Sequence, residues 1–426
     1  MAQDKLEELL KKKGIGPLGS KSLSEDEVKL ATDLLLHSDV SLITKATMLT
    51  ALLTLEANPY EAALLAQIKA SPKATLPAEL GNFIIPDPES TFQNLVNKTI
   101  KKEDLNTEEA TRAMEFFFDA KEPDYLKAAF LEAQRLKRET FTENQAFFNA
   151  MWKRAERITI NQQPIIHLCD SFDGSNRTRN FSVFVAALIA AAGFRCVVSS
   201  IDSVAPKNGI TSHQILHNAD KKTLLNIEDA STELQNLGWT YIDQAVSFPA
   251  LYAMKDLRKE MVKRPFIATF EKLLQPIRSS TENYIVTGYT HSHYRQELVN
   301  LLKEQKQCTK AIILRGMEGS THISMNKESI CVQLNSDIIS DSLVSPQQFG
   351  LPVVEEKQDK SIVVQTSLDE GISALNGENN YARQSILYLT AIILSKFELL
   401  PLHNLVSQLS ILIDNGSALQ KFNKKA

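Results

Sequence analysis

Asp170-Ser-Phe-Asp-Gly-Ser-Asn-Arg-Thr-Arg-Asn-Phe-Ser182 joins an apolar run, Pro164 to Cys169, to an apolar, Ala-rich segment, Phe184 to Ala192. The first run has the length of a buried strand and the second that of a buried helix. A short polar turn between a strand and a helix N-terminus is where an α/β protein usually holds an anion, because unpaired N–H groups and the helix dipole converge there. Downstream, short apolar runs alternate with helical segments. Ile165–Cys169, Arg195–Ser199, Tyr284–Thr290, Lys310–Leu314, Ile330–Leu334 and Ile362–Gln365 read as strands. Phe181–Ala192, Ser212–Asn218, Phe248–Met261, Pro265–Leu274 and Ser292–Glu304 read as helices, with further helices from Tyr381 to Lys396 and from Leu402 to Ile413. Such alternation predicts a mostly parallel central sheet flanked by helices, an α/β fold. Ligands of such sheets bind outside the carboxyl ends of the strands, which is where the opening stretch falls.

Upstream, residues 1–160 read as all helix. Leu6, Leu9 and Leu10 begin an amphipathic segment that stops at Lys11-Lys-Lys-Gly14, expected as a solvated helix C-terminus. Ser22-Leu-Ser-Glu-Asp-Glu27 is a helix-start signal, and Leu105-Asn-Thr-Glu-Glu-Ala110 restates it. Setting Leu23 over Leu105, an offset of 82 residues (105 less 23), aligns the two segments without a gap. Leu35 falls on Phe117, Lys45 on Lys127, Ala46 on Ala128, Leu49 on Leu131 and Glu61 on Glu143. Two readings stand: chance agreement of two amphipathic hairpins, or a duplicated helical module. The second divides the chain into module 1 (1–70), a linker rich in Pro, Ala and small polar residues (71–97), module 2 (98–160) and an α/β domain (161–426).

Composition bounds the function. At 426 residues, 43% apolar and 23% charged, the chain has the make-up of a soluble globular protein with a substantial core. A net charge of −4 leaves room for a local basic groove. Cys169, Cys196, Cys308 and Cys331 lie far apart, without metal-ligand spacing, so buried reduced thiols and a cytoplasmic location are expected. The first residues carry no signal-peptide core, and the longest apolar runs are too short to span a bilayer.

Three further stretches carry a family resemblance. Lys263-Arg-Pro-Phe-Ile-Ala-Thr-Phe-Glu-Lys-Leu-Leu-Gln-Pro276 resembles the G-V-R-T-I-F-N-L-L-G-P-L-T-N-P of the anthranilate phosphoribosyltransferases, with Arg264 on the family arginine. Arg315-Gly-Met-Glu-Gly-Ser-Thr-His-Ile-Ser324 resembles H-G-x-D-G-L-D-E-I-S, and Ile413-Asp-Asn-Gly-Ser-Ala418 resembles I-D-S-G-x-A. The resemblance implies the nucleoside phosphorylase/phosphoribosyltransferase type of fold, helical N-terminal part beside an α/β domain, with a homodimer through the helical domain. The opening stretch aligns with the loop that cradles pyrophosphate, G-T-G-G-D-G-x-x-T-F-N-I-S. That alignment makes Asp173, Gly174, Ser175, Arg177, Arg179, Asn180 and Ser182 the candidate anion seat, and Arg264 the candidate acceptor-pocket residue.

Departures from the family pattern are as informative. Most of the loop glycines that let a backbone approach a pyrophosphate are replaced, Phe172 among the replacements. K-H-G-N becomes Val198-Ser-Ser-Ile201, and Thr321 and His322 fall where the family has its magnesium-binding Asp-Glu pair. No magnesium and no other cofactor is therefore expected. Phe172-Asp-Gly-Ser-Asn-Arg177, Arg315-Gly-Met-Glu-Gly319 and Thr287-Gly-Tyr-Thr-His-Ser-His-Tyr294 resemble instead a divergent branch of the family, in which some members bind nucleic acid without known catalysis. Two functions are expected from these patterns. One is a glycosyltransferase-family protein with a degenerate phosphoribosyl diphosphate site, taking a phosphorylated small molecule. The other is a non-catalytic nucleic-acid binder using Arg177, Arg179, Lys207, Arg135, Arg138, Lys153 and Arg154. No catalytic residue can be assigned from spacing.

Overall fold

The computed structural model describes residues 1–16, 19–84, 91–161, 163–355 and 362–424. They form two compact units, 1–153 with 253–267, and 154–252 with 268–426. No described helix is long and apolar enough to cross a membrane.

The first unit is helical: α1 (Ala2–Lys13), α2 (Glu25–Leu36), α3 (Leu42–Thr54), α4 (Pro59–Ala70), α5 (Pro72–Thr75), α6 (Ala78–Ile84), α7 (Thr91–Ile100), α8 (Thr107–Phe117), α9 (Asp124–Lys137) and α10 (Phe141–Arg154). The starts of α2 and α8 are the ones the sequence announces, and α4 adds a third of the same kind. Ser24 caps α2, Asn58 caps α4 and Asn106 caps α8, each with a Glu three residues on that returns the bond to the cap amide. The stretch 71–97, expected as a linker, carries α5, α6 and the start of α7 instead, while 85–90 lie outside the described residues. Leu76, Leu80 and Phe92 explain the difference, since each is buried and ties its short helix to the unit.

Among the described residues the second unit holds nine strands: β1 (Ile158–Ile160), β2 (Ile165–Cys169), β3 (Arg195–Ser200), β4 (Trp239–Asp243), β5 (Ile277–Ser279), β6 (Asn283–Tyr289), β7 (Lys310–Arg315), β8 (Ser329–Asn335) and β9 (Ile338–Val344). β1 and β5 pair in parallel; the others form one sheet in the order β4-β3-β2-β6-β7-β8-β9. β4 through β7 run parallel, and β8 and β9 close the edge as an antiparallel hairpin. All five residues of β2 are buried, as expected for a central parallel strand covered on both faces. The helices of this unit begin with α11 (Ser182–Ala191), apolar on every side and buried from Ser182 to Ala190.

Several expected elements differ. The strand expected at 362–365 is the entry to a helix, Val364–Leu375, whose buried Leu368, Gly371, Ala374 and Leu375 recur at helical spacing. Gly371 is required there, because the Phe184 ring occupies the place of a Cβ. The single helix expected over 248–261 is broken into Pro249–Tyr252 and Lys255–Glu260, since the chain leaves one compact unit for the other at residue 253. Over 265–274 only Ile267–Phe270 is α-helical, followed by a 3₁₀ turn. β1, β4, β5 and β9 are additions to the expected strands, β1 falling in the stretch 1–160 that reads as all helix; β9 is an edge strand with Ile338 and Leu343 exposed and Ser and Asp between them, so it lacks apolar alternation.

Candidate functional site

Asp170, at the end of β2, is the hub of the sheet's carboxyl edge. One of its oxygens accepts the Thr321 amide at 2.6 Å, and the other accepts the Ser182 hydroxyl at the start of α11. The turn at 316–322 is thereby fixed against the strand ends. It lies so close that a Cβ on Gly288 of β6, or on Gly316, would strike the Ser320 carbonyl. Within the turn, the Met317 amide donates to the His322 carbonyl at 2.7 Å.

The loop after Asp170 is stapled to 209–210 by backbone alone. Gly209 donates to the Asp173 carbonyl at 2.8 Å, and Ser175 and Ile210 exchange both backbone bonds at 3.1 and 2.8 Å. Gly174 has φ +72° and meets the Gly209 backbone where a side chain would begin. It is thus a glycine required by packing against Gly209.

The next three donors of the loop converge on one carboxylate. The amides of Asn176 and Arg177 each donate to Glu318 at 3.0 Å, and the Thr178 hydroxyl does so at 3.1 Å. Lys207 Nζ stands 3.2 Å from the same group and Arg177 Nε 3.7 Å from it. The Glu318 side chain is only 6% exposed. Burial pushes its carboxyl up, but the Arg177 amide, the Lys207 charge and the Lys207 and Thr178 hydrogen bonds outweigh it and hold the group below the ordinary value of 4.5. Its backbone sits at φ +52°, a left-handed conformation unusual for Glu, so the position of the carboxylate is over-determined by its partners. Sequence reasoning misses Glu318 as a site residue, although Arg315-Gly-Met-Glu-Gly319 contains it; the signal is present as a motif without a partner.

Because folding lowers this pKa, the latch contributes stability that is complete above the ordinary glutamate range and lost as pH falls through the lowered value. Amide protection at Asn176 and Arg177, corrected for intrinsic exchange, is expected to hold from pH 7 to about 5 and to fall at more acid pH. Protection that persists undiminished at pH 3 would contradict the latch.

The remaining candidates are placed as follows. Asn180 and Ser182 are structural: the Asn180 side chain accepts the Ser182 amide at 3.1 Å, and Ser182 is spent on Asp170. Asp173 is buried, and Ser175 serves the backbone bridge. Arg179 is held by Glu370 through two bonds, at 3.0 and 3.1 Å, and Lys207 by Glu318. At the expected metal position, Thr321 and His322 are buried; His322 Nε2 accepts the Phe181 amide at 2.9 Å. Burial lowers the His322 pKa against the opposing pull of Asp170. Arg264 is exposed and belongs to the helical unit. In that unit Arg135 is drawn to Glu132 and to the carbonyls of Gly14 and Ile15, while Arg138 and Lys153 are exposed. Arg154 is also exposed and is counted with the α/β unit.

The glycosyl transferase family a/b domain matches residues 173–419, and the helical bundle domain of that family matches residues 93–155. The first of these spans more than half of the chain, and the chain belongs to the glycosyl transferase family so described. Its relatives make it an anthranilate phosphoribosyltransferase-like protein. It is 24% identical over 339 residues to an anthranilate phosphoribosyltransferase of Alkaliphilus metalliredigens, covering 78% of this chain and 97% of the relative. It is 24% identical over 275 residues to an uncharacterized protein of Aquifex aeolicus, covering 65% and 82%. The fold matches the crystal structure of anthranilate phosphoribosyltransferase from Thermus thermophilus, with TM-score 0.65 and 18% identity over 77% of this chain and 97% of that one. It also matches the Saccharomyces cerevisiae enzyme in complex with PRPP and Mg, with TM-score 0.66 and 14% identity over 78% and 96%.

Proposed function

We propose that this chain keeps the glycosyl transferase scaffold without anthranilate phosphoribosyl transfer, its inherited pyrophosphate loop being held by its own Glu318. The observation that carries the reading is the convergence of two amides, a hydroxyl and Lys207 on that buried carboxylate. Those are the donors that an incoming diphosphate would need. The chemistry next to the loop supports the same reading. Magnesium takes hard oxygen ligands and balances anionic charge. Thr321 and His322 supply no carboxylate, His322 Nε2 is spent on an amide, and both Asp170 oxygens are spent within the fold. These residues do not fit a magnesium-bound diphosphate. Among the described residues no group of three or more His, Cys, Asp or Glu is placed to hold a metal.

The reading is tested by titrating phosphoribosyl diphosphate with magnesium into the protein by calorimetry. The expected result is no binding tighter than about 1 mM. Heat that fits micromolar affinity in the unmodified chain would overturn it. Glu318→Gly removes the carboxylate and relaxes the left-handed backbone, and is expected to bind inorganic diphosphate more tightly than the parent.

One observation favours a second reading, non-catalytic nucleic-acid binding: the Arg177 side chain is 68% exposed at the rim of the loop. Arg138 and Lys153 are exposed as well, whereas Arg179, Lys207 and Arg135 are already engaged within the protein. A mobility shift with single-stranded or duplex nucleic acid that weakens steeply with salt would carry this reading, and its absence at low ionic strength would remove it. The four cysteines are free, and burial raises all four thiols, which suits a reducing compartment.

A further inference from the structure

Glu61 and Glu143 stand 82 residues apart and make the same bonds. Each is completely buried. Glu61 accepts the amide of Leu23 at 2.9 Å, and Glu143 that of Leu105 at 3.0 Å. Each also accepts the amide three residues before it, from Asn58 at 3.0 Å and from Thr140 at 2.7 Å. Each is neutralised by a lysine with a buried side chain, Lys13 or Lys137, supplied from a different place in the two halves; Lys13 thus departs from the solvated helix end expected at 11–14. The helix-start boxes repeat at the same offset, Ser24 with Glu27 and Asn106 with Glu109. Those two glutamates in turn pair with Lys12 of α1 and Lys98 of α7. Helices α1–α4 thus recur as α7–α10. Two unrelated amphipathic hairpins would share an apolar period, but a buried carboxylate has its oxygens satisfied only where particular amides are placed for it.

The equivalent helices α3 and α9 pack on one another. α3 is buried at every position from Thr44 to Leu52, and α9 from Leu126 to Gln134. A helix buried all round needs neighbours on every side. α1 covers part of α3 and α7 covers part of α9. Lys255–Glu260 touches both helices, and α4 and α7 also touch α3, but the most extensive contact of each is with the other. Small residues at matching positions, Ala46 and Ala128, Ala51 and Ala133, are buried along both helices. One patch facing its own equivalent is an isologous contact, the geometry of a two-fold homodimer.

We propose that the helical unit is an internal dimer, in which the face that a single module would offer to a second copy of itself is occupied by the other module of the same chain. A second molecule of this protein therefore has no access to the α3 and α9 faces. Sedimentation velocity of the full chain, run beside hydrogen exchange over a hundred-fold range of concentration, tests this. Expected are α3 and α9 amides protected equally at every concentration, with a single species of one-chain mass or a dimer whose formation leaves that protection unchanged. Leu49→Ala in α3 is expected to speed exchange in α9 as much as in α3, by about thirty-fold or more, and Leu131→Ala to do the reverse. Protection of α3 and α9 that rises with self-association would overturn the proposal. So would a Leu49→Ala chain in which α9 exchanges as before.

Discussion

Glu61→Ala lowers the stability of the folded chain by about 3–5 kcal/mol, read from the denaturant midpoint at constant slope. The size comes from the groups left behind. Lys13 is 1% exposed and sits 3.0 Å from Glu61; without that carboxylate its ammonium keeps, among the described residues, the Glu56 carbonyl at 2.8 Å. The amides of Leu23 and Asn58 lose their acceptor in the same step. Removing one partner of a buried pair leaves an uncompensated charge, which costs far more than the net worth of the pair. Glu143→Ala costs less, because Lys137 retains Asp104 at 2.8 Å, on a partner 65% exposed. Equal losses at the two sites, or a loss under about 1 kcal/mol at Glu61, would contradict this account.

Asp170→Ala is expected to cost about 3 kcal/mol and to loosen the carboxyl edge of the sheet. The Thr321 amide and the Ser182 hydroxyl both donate to Asp170, and Thr321 and Ser182 are completely buried. Truncation strips both donors of their acceptor, and hydrogen bonds to a charged group are worth about 1.5–3 kcal/mol each. Asp170→Asn keeps one acceptor oxygen and is expected to cost less than half as much. Hydrogen exchange separates the local effect from a global one: the amides of 316–322 should open more than those of β2. If both variants behave like the parent, Asp170 is not the hub described.

The sequence carries the sheet and the helix starts because both depend on local patterns. β2, with five consecutive buried residues, and the Ser24, Asn58 and Asn106 caps are short-range signals, complete within a few residues. Partnership across long separations has no such signal. Glu318 meets Asn176 from 142 residues away, and Arg179 meets Glu370 from 191. Without those partners a basic, glycine-bearing loop has the same pattern whether its donors face solvent or are already spent. Gly174 shows the same limit: its positive φ serves the backbone of Gly209, which nothing nearby in the sequence announces. The entry to Val364–Leu375 reads as a strand because two apolar β-branched residues, Ile362 and Val363, precede the helical spacing.

Glu318 changes what competition means at this loop. A diphosphate in solution binds in proportion to its concentration, whereas a carboxylate carried on the chain is present at a fixed effective concentration, on the order of millimolar or above for a short tether. The turn at 316–322 is shorter and stiffer than any flexible linker, being pinned by Asp170 and by the Ser320 carbonyl against β6. If the loop is the inherited anion seat proposed above, physiological swings in free phosphate have little purchase on it, and its order is set by the chain's own charge instead of by the supply of ligand.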